Sequence, residues 1–153
     1  MASNKKPRKK YRPKPIQLDT MNYVKVGMAP PAEKFRTRIE LINHSAMHQL
    51  THGKGTLSDW QEIAMALNTA YILAKDFGVG TDLLSDFSAA LEAHRMCGVR
   101  RFGYSGAELR TINHALVLHE QQMRIATTAE HEKAMRQVES NVYKEGRDLK
   151  VCG

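Results

Sequence analysis

Seven cationic side chains crowd into ten positions near the N-terminus: Lys5, Lys6, Arg8, Lys9, Lys10, Arg12 and Lys14, with Tyr11 among them and no acidic residue before Asp19. A run of this kind neutralises closely spaced anions. Each phosphate it meets releases condensed counterions, so seven contacts give a slope of at most about −6 in log K against log salt. Tyr11 adds a ring on which an unpaired base can stack. Three readings are open: the run binds nucleic-acid phosphates, it binds an acidic protein surface, or it is a tail that serves solubility or localisation and contacts nothing specific. The other 16 of the 23 Lys and Arg balance 16 Asp and Glu. The formal charge of +7 therefore belongs entirely to this arm.

A second pattern is His44, His48 and His52, spaced HxxxHxxxH. On a helix, successive members are offset by only about 40°, so the three imidazoles line one side. Two histidines at i and i+4 can reach one divalent metal, with Glu40 or a residue of another helix completing the set. The same stripe is equally a polar partner interface or a solvated face. His114 and His119 are about 140° apart around a helix and do not share a face. His119 and His94 each take an apolar position in a helical stripe, as hydrogen-bonded core histidines do.

The segment Val99 to Tyr104 places Arg100 and Arg101 beside Phe102 and Tyr104, just ahead of a helix start. It reads either as a second phosphate or base contact, or as a loop with Phe102 tucked into the core and its arginines solvated. Cys97 and Cys152 have no partner at metal-ligand spacing. Cys97 reads as a buried helical thiol and Cys152 as a frayed one, without a disulfide. The chain has no GxGxxG, GxxxxGK[ST], GxSxG or HExxH. Its acidic residues stand beside basic ones, as in Glu132-Lys133 and Glu145-Arg147, which is surface patterning. The sequence thus points away from an enzyme and calls for no cofactor.

These residues must be held by something, and the prolines show by what. All five lie before residue 32. Proline removes a backbone donor and clashes inside a helix, so the partition separates an extended arm, 1–31, from a helical domain, 32–153. Tyr23 to Val26 alternates briefly, but a single strand cannot make a sheet. The first helix spans 33–52 with a stripe of Phe35, Ile39, Ile42, Ala46 and Leu50. The second, about 59–77, opens on a Ser58/Gln61 capping box and carries Trp60, Ile63, Ala64, Leu67, Ala70, Tyr71, Ala74 and Phe77; it is expected at the centre of the core. A third starts at Thr81 or Asp82 and runs to Cys97 with Leu84, Phe87, Leu91 and His94. A fourth, about 106–126, is capped by Ser105 and Glu108 and carries Leu109, Ile112, Leu116, His119 and Met123. Thr127 and Glu130 open a fifth, with Met135, Val138 and Val142, that ends near Gly146. Short connections make neighbours antiparallel, so the expected fold is an all-α, five-helix antiparallel bundle with an extended basic N-terminal arm.

At 153 residues, 42% apolar and 25% charged, the chain is one ordinary globular domain's worth. It holds no apolar run near the ~20 residues of a membrane span and no N-terminal apolar core of a signal peptide. A cytoplasmic location is expected.

Three segments, RKKYRPKP at 8–15, DWQEIAMALNTAYILAKDFGVG at 59–80 and GAELRTINHALVLHEQQM at 106–123, together resemble small helical proteins encoded by proteobacterial phages, prophages and plasmids. The resemblance implies an accessory role in a mobile element within a bacterial host. It carries over no binding residue and no activity. The sequence therefore leads to a non-enzymatic accessory protein that binds nucleic-acid backbone through its arm, as a monomer or homo-oligomer. The other reading is an interaction module or inhibitor that docks on a host or defence complex, with the histidine face or the 99–104 loop as contact surface.

Overall fold

The computed structural model describes residues 27–145, with side chains described as far as Asn141. Five helices follow in order: α1 Glu33–Thr51, α2 Leu57–Asp76, α3 Leu84–Val99, α4 Gly106–Ile125 and α5 Thr128–Glu145, with a one-turn 3-10 helix at Thr81–Leu83 leading into α3. No strand occurs among the described residues. The expected all-α bundle is the architecture found.

α2 packs against each of the other four helices. With neighbours on every side its buried face is wider than one stripe. Ala66, Asn68, Thr69, Ile72 and Leu73 are buried along with the expected Trp60, Ile63, Ala64, Leu67, Ala70 and Ala74, while Tyr71 and Phe77 stay half-buried. One apolar cluster joins the second half of α1 to α2, α3 and α4; a second joins the end of α2 to α5 through Ile72, Leu73, Ala134 and Val138. The stripes expected on α3 and α4 are buried at Phe87, Leu91, His94 and Cys97, and at Ile112, Leu116, His119 and Met123.

Three local expectations are corrected. On α1 the buried residues are Asn43, Ala46, Met47 and Leu50, whereas Phe35 and Ile42 are 40% and 36% exposed. Only the second half of α1 reaches the core; in the first half Phe35 meets only the edge of His131 and Ile39 is half-buried. α2 begins at Leu57 because its cap is Thr56 and not Ser58. The Thr56 hydroxyl accepts from Asp59 N–H at 3.3 Å, and Asp59 Oδ2 accepts from Thr56 N–H at 2.8 Å, which satisfies two of the helix's orphan donors. Finally, α3 passes through Gly98 to Val99. A Cβ at residue 98 would lie 2.8 Å from Trp60 Cζ2, so the glycine admits the indole rather than ending the helix.

The caps at Ser105/Glu108 and Thr127/Glu130 form as expected. Gly27 and Met28 are helical, and Ala29 O accepts from both Thr128 N–H at 2.7 Å and Thr128 Oγ1 at 2.9 Å. Pro31 is buried. The segment that feeds α1 is thereby fastened to the start of α5. Tyr23–Val26, the Val142 side chain, Gly146 and Cys152 lie outside the described residues.

Candidate nucleic-acid interface

The cationic run Lys5, Lys6, Arg8, Lys9, Lys10, Tyr11, Arg12 and Lys14 lies outside the described residues. Among the described ones, the basic loop between α3 and α4 is the other expected contact. Its backbone closes α3: Arg100 N–H donates to Met96 O and Cys97 O, and Phe102 N–H donates to Cys97 O at 2.9 Å. Arg101 and Phe102 adopt φ of 54° and 70°, a left-handed pair without glycine. That turn sends Phe102 back onto the core, where its ring centroid is 6.5 Å from Trp60.

The two loop arginines then part company. Arg100 Nη2 donates to both carboxylate oxygens of Glu108, and Glu108 also accepts from Ser105 N–H at 2.8 Å. The Arg100 guanidinium first, and the Ser105 backbone next, hold the Glu108 carboxyl down at about 2. The N-terminus of α4, which would otherwise attract an anion, is thus already served by the protein's own carboxylate. Arg101 is exposed and forms no ion pair among the described residues.

His44, His48 and His52 project from the exposed side of α1, as their spacing requires. They do not converge. His44 Nε2 stands 3.0 Å from Glu120 Oε1 on α4. The His48 and His52 rings lie 4.1 Å apart, with His52 Nδ1 donating to His48 O at 2.8 Å. No group of three or more His, Cys, Asp or Glu among the described residues is placed to hold a metal ion. His114 lies on a different side from His119, 3.9 Å from Asp86 Oδ1.

The polar chemistry of the interior belongs to residues that occupy apolar positions in the stripes. His94 Nε2 donates to Trp60 O at 2.8 Å, and the Tyr104 hydroxyl donates to His94 Nδ1 at 2.9 Å. Trp60 Nε1–H donates to His94 O at 3.2 Å, and the two rings stack at 4.7 Å. Burial pushes the Cys97 thiol up to about 11, raises Tyr104 further still, and pushes His94 down to about 4 against its hydrogen bond to the Trp60 carbonyl. The Cys97 thiol is protonated at neutral pH and fully buried, so it is no poised nucleophile. Through His94 and Trp60, Tyr104 fastens the 99–104 loop to the core.

A second buried centre sits at the α4–α5 end. Gln122 Nε2 donates to Ala70 O at 3.0 Å and to Val79 O at 2.7 Å, while its Oε1 accepts from His119 Nδ1 at 2.9 Å. His119 stacks on His131, which meets Phe35 edge-on at 5.7 Å. Burial holds His119 down to about 4 and His131 below its ordinary value. Stripe position marks His94 and His119 as core histidines from sequence. Gln122 and Tyr104 carry no comparable signal: Gln122 bonds the carbonyls of Ala70 and Val79, far along the chain, and Tyr104 reaches His94 only because the loop turns back onto α3.

Among the described residues, no helix is long and apolar enough to cross a membrane. The fold thus defines a helical bundle in which the buried His94, His119 and Gln122 are hydrogen-bonded to other groups of the chain. Comparison with protein-family models, curated proteins and solved structures found no match.

Proposed function

We propose that the chain is a non-enzymatic, nucleic-acid-associated accessory protein of a phage or other mobile element, which grips phosphates through its N-terminal arm. The observation that carries this reading is the partition of charge: +7 within Lys5 to Lys14 and a balanced remainder. Affinity from such an arm is sequence-indifferent and falls steeply with salt. Arg101, exposed and without an ion-pair partner among the described residues, is the cation of the bundle best suited to extend the contact. Arg100 serves Glu108 and is not counted on for phosphate.

The test is electrophoretic mobility shift with duplex and single-stranded probes at low and raised salt. It compares the full chain, a 16–153 truncation, and a full-length variant with glutamine at the seven cationic positions. The full chain is expected to retard the probe with a slope no steeper than about −6, and both variants to lose the shift. Undiminished binding by either variant would refute the arm's role.

A further inference from the structure

A cleft of about 830 Å3 opens between the first half of α1 and the first turns of α2. Its two walls have opposite character. Lys34 and Arg38 stand on the α1 side, Asp59 and Glu62 on the α2 side, and Leu41 and Ile42 are the large apolar residues that line it with them. Glu33 is the exception, a carboxylate in the first turn of α1, where the helix dipole favours one. Among the described residues Lys34, Arg38 and Glu62 form no ion pair. Asp59 commits Oδ2 to the Thr56 cap.

This is also where α1 departs from its sequence pattern. Its first half carries apolar side chains that the bundle does not bury, with Leu41 64% and Ile42 36% exposed. An amphipathic helix with an uncovered apolar line and an adjoining groove is a docking surface, and its charges select what docks. A nucleic acid or an acidic protein would meet Asp59 and Glu62, and a basic one would meet Lys34 and Arg38. A surface with one basic and one acidic wall complements its own image when the two-fold axis runs along the cleft between them. In an isologous contact the same patch meets itself, and with the axis in that direction each copy's basic wall faces its partner's acidic wall.

We infer that the α1–α2 cleft is the face through which two copies of this chain form a symmetric dimer, with Leu41 and Ile42 at its centre and Lys34 and Arg38 of each copy against Asp59 and Glu62 of the other. The inference stands independently of the proposed nucleic-acid contact. It would give one particle two basic arms, and a second arm binds at the effective concentration set by the first.

The test uses the nuclease-treated full chain in sedimentation equilibrium, with far-UV circular dichroism to check folding. The wild type is expected at twice 17.3 kDa. Arg38→Glu alone and Glu62→Arg alone each place like charges across the axis twice, and each is expected to weaken the dimer by about tenfold or more. An equimolar mixture of the two variants is expected to regain the wild-type mass. In that heterodimer one copy carries carboxylates at both positions and the other carries guanidinium groups at both, so every facing pair is again of opposite sign. A wild type that stays at 17.3 kDa at its highest soluble concentration overturns the inference. So do folded single variants that remain fully dimeric, or a mixture that remains monomeric when both singles are.

Discussion

Acidification from pH 7 to 4.5 should strip much of this bundle's stability, and His94 should account for a definable share. Its ring is buried, donates from Nε2 to Trp60 O, accepts at Nδ1 from Tyr104, and is held down to about 4 by burial. Both nitrogens are engaged by the neutral form, with one donor and one acceptor, so a second proton has no place. The unfolded chain takes up that proton near the ordinary 6.5. Because the folded pKa lies below the unfolded one, the contribution is complete above about 6.5 and drains away as pH falls towards about 4. At about 1.4 kcal/mol for each pH unit between the two values, the loss by pH 4.5 is roughly 2–3 kcal/mol. His119, likewise held near 4, should lose a similar amount, and His131 adds in the same direction. Together these approach the ~5–15 kcal/mol that holds a typical domain folded. Glu108 does not confuse the window. Its stabilisation is present above the ordinary carboxylate range and is lost only as pH falls below about 4.5 towards 2. The assay is urea unfolding at pH 7 and 4.5, followed by the fluorescence of Trp60, the single tryptophan, which stacks on His94. His94→Gln should be less stable at pH 7, having strained or lost one of two buried hydrogen bonds, at about 1–3 kcal/mol. Its further loss on acidification should be about 2 kcal/mol smaller than that of the wild type. Equal acid losses in the two proteins, or a wild type indifferent to pH across this range, would refute the reasoning.

Three more outcomes can be checked by the same unfolding measurement. Thr56→Ala should cost about 1 kcal/mol and Ser58→Ala only a few tenths, since the cap of α2 is Thr56; the reverse order would restore Ser58 as the cap. Gly98→Val should cost about 1–3 kcal/mol or more and shift the emission of Trp60, because a Cβ there would sit 2.8 Å from the indole. Gln122→Leu should leave the carbonyls of Ala70 and Val79 and one His119 nitrogen without their partner, at roughly 3 kcal/mol or more; a change below about 1 kcal/mol would show the bridge to be unimportant.

The sequence by itself determined the helices, their order and the separation of charge from core. Helical periodicity is local, so Phe87, Leu91 and His94 on α3, or Ile112, Leu116 and His119 on α4, announce their shared face without knowledge of any neighbour. Capping chemistry is local too. The Ser105/Glu108 and Thr127/Glu130 boxes are legible, while at the start of α2 the spacing points to Ser58/Gln61 and the folded chain uses Thr56 with Asp59 instead. Only the tertiary structure decided which faces are covered. α1 shows this most plainly: its apolar residues at 35, 39 and 42 have the right period, yet burial depends on a neighbour, and the bundle buries side chains of this helix fully only from Asn43 onward. Likewise it is contact between segments that gives Arg100 to Glu108 and leaves Arg101 exposed, that turns His44 towards Glu120, and that joins Tyr104 to His94. Period and charge are properties of a segment. Burial and pairing are properties of two segments brought together, and no single stretch of sequence contains them.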